Sequence, residues 1–197
     1  MQVEWSKTGV VFPSGLTHWS RRFEYPWVIE NSNFQAGEWV LDAAGGDGPL
    51  QIVASNIGCK VVNVDIEPKT FPKESKATFL QGDLRKLAFA DSIFTKIICV
   101  SVLEHIEQPL VVIKELWRVL APGGRLVVTM DVADYIRWNH NIDLSVATDI
   151  LKFFGLEIPI EPLNIIRFAF AEENRKPDEP EEVILKVLCF YADKSTV

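Results

Sequence analysis

The chain reads as an α/β protein built on a mostly parallel sheet. Three observations predict it. From Glu38 onward, short β-rich runs alternate with segments of helical period, the pattern of βαβ units. One run, Lys96-Ile97-Ile98-Cys99-Val100, is apolar almost throughout, as a strand covered on both faces must be. A β-rich run at Trp39 enters a turn of small residues and leaves it directly into a helix.

The elements follow in order. Trp39-Val40-Leu41-Asp42 is the first expected strand. The helix after it spans Pro49 to about Ile57, with Leu50, Val53, Ala54 and Ile57 on one face. Pro49 suits the first helical position, where a missing N–H loses nothing, and Gly58 stops the helix. Lys60 to Asp65 and Thr78 to Gln81 are the second and third strands, and Lys96 to Val100 is the fourth. A helix starting near Pro109 is expected to bury Ile106, Leu110, Ile113, Leu116, Trp117 and Leu120. The turn Ala121-Pro122-Gly123-Gly124 feeds a fifth strand from Arg125 to Met130, and a further helix covers Leu144 to Phe154. Strands are expected at Leu156–Ile160 and Val183–Tyr191; Ile165–Phe170 is a strand or a connection, and Glu172–Glu182 a charged loop. Ahead of the sheet, residues 1–35 are rich in aromatics. A helix from Trp19 to Ile29 is expected there, interrupted or started by Pro26.

With 197 residues, 48% of them hydrophobic, the chain fits one domain with a substantial core: an aromatic segment at 1–35, a core at 38–131 and a remainder at 132–197. A formal charge of −7 disfavours broad binding to nucleic acid, and no partner of that kind is expected. The pairs Arg21-Arg22 and Arg85-Lys86 read as solvated surface. Cys59, Cys99 and Cys189 are scattered in apolar runs and suit neither a zinc site nor a disulfide framework; buried thiols in a reducing, cytoplasmic setting are expected, with no metal. The first residues lack the basic and apolar regions of a signal peptide, and no apolar run is long enough to cross a bilayer.

The informative segment is Val40-Leu41-Asp42-Ala43-Ala44-Gly45-Gly46-Asp47-Gly48. Small side chains let a ligand lie against the backbone, and a helix N-terminus adds a positive electrostatic edge. Asp65 closes the second strand, where a carboxylate can accept from a ribose diol. Asp83 closes the third and can accept from an adenine amino group; Ser101 and Val102 follow the fourth. In a doubly wound sheet these strand ends share one crevice.

The set resembles the class I S-adenosylmethionine-dependent methyltransferases of the small, widespread type 11-like kind. The motifs stand here as Leu41-Asp42-Ala43-Ala44-Gly45-Gly46-Asp47-Gly48, Val64-Asp65-Ile66-Glu67-Pro68, Gly82-Asp83-Leu84-Arg85-Lys86-Leu87-Ala88-Phe89, Ser101-Val102-Leu103-Glu104-His105-Ile106 and Leu120-Ala121-Pro122-Gly123-Gly124-Arg125-Leu126-Val127-Val128. Ala44 replaces the first glycine of the family turn and Ala88 its usual proline. An alanine at 44 fits the turn provided that residue keeps a negative φ.

The resemblance implies a Rossmann-like three-layer sandwich whose mostly parallel seven-stranded sheet has an antiparallel C-terminal strand. It also implies S-adenosylmethionine as cofactor. Asp42 would organise the turn and reach the methionine amino group, with Ala44 and Gly46 allowing close approach. Asp65 would hold the ribose, Ile66 would pack on the adenine, Asp83 and Leu84 would meet its edge and face, and Ser101 would lie beside the methionine. Ala43, Gly45, Gly82 and Val102 complete the expected set.

His105 is a candidate general base, or else a histidine that orients the turn; His18, His140, Asp131 and Tyr135 are further candidates. Trp19, Phe23 and Trp27 form a lid or simply cover the sheet, and Arg22 and Tyr25 are placed to meet an anion. The absence of an Asn-Pro-Pro-Tyr type motif, together with the acidic charge, favours a small-molecule acceptor. The aromatic amino-terminal segment resembles that of small methyltransferases acting on sugars or other metabolites. A nicotinamide-dependent oxidoreductase would need a third glycine, which Pro49-Leu50-Gln51 does not supply. A non-catalytic subunit of the same fold is the competing reading.

Overall fold

The computed structural model describes residues 21–67, 75–133, 142–157 and 186–196. The amino-terminal helix α1 spans Arg21–Ser32 and is followed by β1 (Trp39–Ala43), α2 (Leu50–Ile57), β2 (Lys60–Asp65), β3 (Thr78–Gln81) and β4 (Phe94–Val100). A short 3-10 turn, Leu103–His105, leads to α3 (Pro109–Val119), β5 (Leu120–Ala133), β6 (Ile142–Asp143), α4 (Leu144–Phe153) and β7 (Lys186–Asp193). The sheet runs in the order β3-β2-β1-β4-β5-β6, and β7 pairs with β5. Every neighbouring pair is parallel except β5 with β7, which is antiparallel. The fold is the expected Rossmann-like arrangement of seven strands.

Alternation along the strands makes the two helical layers. Val40, Val61, Ile98 and Val127 pack with Tyr25 and Val28 of α1 and Leu50 and Ala54 of α2. Their neighbours Leu41, Val62, Ile97, Cys99 and Val128 face the other way, against Val112, Ile113 and Leu116 of α3 and Ile150 of α4. Burying each large aliphatic side chain is worth about 1.5–3 kcal/mol, so neither face is stable without its helices.

Several expectations needed correction. Pro26 lies inside α1 rather than at its start. Its ring removes the amide that would reach the Arg22 carbonyl, but the loss falls near the helix start and is offset by burial of Tyr25 and Val28. Pro49 caps α2 instead of occupying its first turn. In α3 the buried stripe is Pro109, Val112, Ile113, Leu116 and Val119; Leu110 and Trp117 are half-buried, and Ile106 and Leu120 lie outside the helix. Ile113 and Leu116 are thus buried as expected, while Ile106, Leu110 and Trp117 pack against the core only in part. The expected turn at 121–124 is a bulged stretch of β5, with register shifting between Phe94 and Lys96 and Gly123 at φ +76°. Gly58 ends α2 in the left-handed conformation as foreseen. Leu156 and Glu157 are not in a strand. The rest of that expected strand, the 165–170 segment and the 172–182 loop lie outside the described residues. Among the described residues, no helix is long and apolar enough to cross a membrane. Cys59 and Cys99 are buried free thiols, whereas Cys189 is half-buried.

Replacing the fully buried Leu116 by alanine is expected to destabilise the protein by about 2–5 kcal/mol in urea denaturation. The same change at Val111, 42% exposed on the outer face of α3, is expected to shift stability by no more than about 0.5 kcal/mol.

Candidate active site at the carboxyl edge of the sheet

The parallel strands bring their carboxyl ends to one edge, and a cleft of about 540 Å³ opens there. It is lined by Ala44, Asp65, Ile66, Gly82, Asp83, Leu84, Ser101, Val102 and His105, together with Glu67, Arg85, Ile106 and Glu107. The expected residues thus converge, apart from Asp42, Ala43, Gly45 and Gly46, which flank Ala44 along the chain and do not line the cleft.

That turn is held from several sides. Ala44 N–H donates to the Val64 carbonyl at 2.7 Å. The buried amides of Gln51 and Asn63 donate to the Gly46 carbonyl at 3.1 and 2.9 Å, and Gln51 also reaches the Gly48 carbonyl at 3.0 Å. A side chain at Gly45 would overlap the Asp42 carboxyl, so glycine there is a packing requirement. Asp42 Oδ2 is buried with no hydrogen-bond partner. Burial, reinforced by the charge of Asp65, pushes its pKa up to about 7.

Ala44 sits at φ +54°, contrary to the condition set by the sequence reading. Ser101, at the end of neighbouring β4, is also left-handed at φ +49°. Two strained residues therefore flank the cleft, held by the strands beneath them.

Asp65 is buried and accepts the Glu67 amide at 3.0 Å. Asp83 is engaged by Arg85, whose Nε and Nη2 donate to its oxygens at 3.0 and 2.7 Å. This pairing holds the Asp83 carboxyl below its ordinary range. Ile66 stands out, 62% exposed, at the rim. His105 is exposed on the cleft wall.

Sequence reasoning missed the knot beside Ser101 at this edge. Glu24 of α1 is fully buried and accepts Ser101 Oγ at 2.6 Å, Thr129 Oγ1 at 2.5 Å and Arg21 Nη1 at 2.6 Å. Arg21 also donates to Ser101 Oγ. A carboxylate is tolerated in such a place only when paired in this way. The signal was weak: Glu24 stands among aromatics in a segment without clean period, and Thr129 is a lone hydroxyl in an apolar strand. Gln51 and Asn63 left a similar trace, as polar residues in apolar runs. Beyond the knot, Glu104 and Asp131 are also buried. Tyr25 is buried in α1, while Trp27 is half-buried against the sheet as a cover. The side chains of Arg22 and Phe23, and residues 18, 19, 135 and 140, lie outside the described residues.

With this geometry in place, the family relationship is informative. Residues 41–128 match the family model described as a methyltransferase domain. The match begins inside β1 and ends inside β5, so it covers the strands that build the cleft. The chain is 35% identical over 118 residues to the ubiquinone/menaquinone biosynthesis C-methyltransferase UbiE of Syntrophotalea carbinolica, covering 55% of this chain and 49% of that protein. It is 22% identical over 175 residues to the sterol 24-C-methyltransferase of Kluyveromyces lactis, covering 80% and 47%. The chain spans about half the length of both relatives. Among solved structures, the YcgJ protein of Bacillus subtilis superposes with a TM-score of 0.66 at 16% identity, over 88% of this chain and 99% of that one; that likeness concerns the fold.

Two outcomes are expected. The left-handed conformation of Ala44 costs about 1–2 kcal/mol, more than the roughly 0.5–1 kcal/mol of extra chain entropy a glycine loses on folding. Ala44→Gly should therefore stabilise the protein by about 0.5–1 kcal/mol, read from the urea midpoint. Second, Asp42, Glu104 and Asp131 all have raised pKa values in the folded protein, with burial as the main cause. The folded state binds protons that the unfolded chain releases above about pH 4, so stability is full at low pH and is lost as pH rises through about 7. The Tm should fall between about pH 5 and 8, and Asp42→Asn should flatten that fall.

Proposed function

We propose that this chain is an S-adenosylmethionine-dependent methyltransferase acting on the oxygen or nitrogen of a small-molecule acceptor, a sugar or another metabolite. The observation that carries the reading is the convergence of Ala44, Asp65, Asp83 and Ser101 on one cleft, with the Asp42 carboxyl packed against Gly45 of the turn. The relatives' names refer to sterols and quinones, which supports a small-molecule acceptor, although both names specify methylation at carbon rather than at oxygen or nitrogen.

The residues present fit the cofactor. The unpartnered, buried Asp42 Oδ2 suits an ammonium group, and a cation there would return its carboxyl to the ionised form. Asp65 keeps oxygen capacity for a diol beyond the one amide it accepts. Ile66 offers an exposed apolar face at the rim for the adenine ring. Asp83 is drawn toward Arg85, so its part in holding the adenine edge is shared with that guanidinium. Ala43, Gly45, Gly46 and Gly82 give backbone clearance, while Leu84 and Val102 supply apolar walls.

S-adenosylmethionine supplies a methyl group already made electrophilic by its sulfonium. What remains for the chain is to align the acceptor, exclude water and manage a proton. His105, on the cleft wall, is placed to orient the loop after β4 or to take a proton from an acceptor in the cleft.

Calorimetry with S-adenosylmethionine and S-adenosylhomocysteine tests the reading directly. Wild-type protein should bind both, and Asp65→Ala should weaken binding by about 10- to 100-fold, the worth of hydrogen bonds to a charged group. Formation of S-adenosylhomocysteine with a panel of hydroxyl- and amine-bearing acceptors then separates an enzyme from a binding subunit. Absence of binding by the wild-type protein overturns the proposal.

A further inference from the structure

The loop after β3 carries an ion pair, and both of its members, Asp83 and Arg85, line the cleft. Asp83 Oδ1 accepts the Arg85 backbone amide at 2.9 Å and its Nε at 3.1 Å. Asp83 Oδ2 accepts Nε at 3.0 Å and Nη2 at 2.7 Å. A single residue therefore grips both oxygens. Its amide ties the carboxylate to the loop, and its guanidinium fork fixes the carboxylate plane.

Stability does not explain the pair. The side chains of Asp83 and Arg85 are 41% and 45% exposed, and ion pairs in that setting contribute little to folding. Its effect on the carboxylate is larger. An ionised carboxylate offers about four acceptor positions. The amide and Nε take those of Oδ1, and Nη2 takes one of Oδ2, so one position on Oδ2 stays open. The guanidinium also keeps the carboxyl ionised, which makes it an acceptor with no proton to give. Glu107, from the loop after the 3-10 turn, faces Arg85 and lines the same cleft. Ile66 adds an exposed apolar face to that cleft. An apolar face together with one fixed acceptor suits a flat heteroaromatic base that carries an amino group.

We propose that Arg85 determines specificity for the adenine of the cofactor by holding Asp83 as a single, fixed acceptor for the 6-amino group. This rests on the S-adenosylmethionine reading and deepens it. Arg85 is a positioning residue that acts through Asp83. Without it, the exposed Asp83 side chain turns between rotamers, presents its oxygens in several directions and must be ordered when the base binds. With it, the acceptor is already in place, and a rigid acceptor separates a base with an amino group from one without it.

The test uses the full chain and two ligands: S-adenosylhomocysteine, and its analogue with unsubstituted purine in place of adenine, which lacks only the 6-amino group. Calorimetry near neutral pH gives the ratio of the two affinities. Wild type should prefer S-adenosylhomocysteine by at least about tenfold, because the analogue leaves a charged acceptor without its donor. Arg85→Ala should cut that preference to about threefold or less, chiefly by weakening S-adenosylhomocysteine, with the analogue's affinity held within about threefold. Asp83→Ala should abolish the preference, and adding Arg85→Ala to it should change the ratio no further. A merely structural role for Arg85 weakens both ligands alike and leaves the ratio intact. Full preference in Arg85→Ala, a further change in the double variant, or equal binding of the two ligands by wild type overturns the assignment. Failure of wild type to bind S-adenosylhomocysteine instead overturns the reading beneath it.

Discussion

The carboxyl edge of the sheet depends on how buried negative charge is accommodated. Glu24, Asp42, Glu104 and Asp131 are all removed from water, and an isolated carboxylate in such a place is expensive. Only Glu24 is fully answered within the described residues, by Arg21, Ser101 and Thr129. That knot fastens α1 across the ends of β4 and β5 and so decides the shape of one side of the cleft. The other three carboxyls keep unpartnered oxygens, which is costly for the protein alone.

Strain at the same edge follows a similar logic. Ala44 and Ser101 both occupy the left-handed region, which a side chain disfavours. The conformation persists because the hydrogen bonds around each residue are firm. Ala44 is tied to Val64, the Gly46 and Gly48 carbonyls are braced by Gln51 and Asn63, and the Ser101 amide donates to the Thr129 carbonyl at 3.0 Å. A rigid sheet holds the turn in a form that exposes backbone to the cleft. Arg118 works comparably on the loop after Asp83, donating to the Leu87 and Phe89 carbonyls and to Asp91 and Glu115.

The strands of the parallel core were legible because each is a short β-rich run with a chemical signal at its end: Asp42, Asp65 and Gly82 all follow or close one. Helix ends marked by Gly58 and Pro109 were legible for the same local reason. Expectations failed where a tertiary constraint overrode a local one. Pro26 is carried inside α1 because Tyr25 and Val28 are buried by that helix, and the glycines at 123 and 124 serve a bulge in β5 rather than a turn.

By itself the sequence determined the class of fold, the strand order's crevice and the small-residue turn, since periodicity and residue size act locally and leave a trace in the order of residues. It also singled out Asp42, Asp65, Asp83 and Ser101, each adjacent to a strand end. Only the tertiary structure decided that Glu24 reaches Ser101 and Thr129 across 77 and 105 positions, that Glu104 lies against Asp131, and that Ala44 adopts a positive φ. Those outcomes depend on which charges are buried together, and separation along the chain carries no record of that.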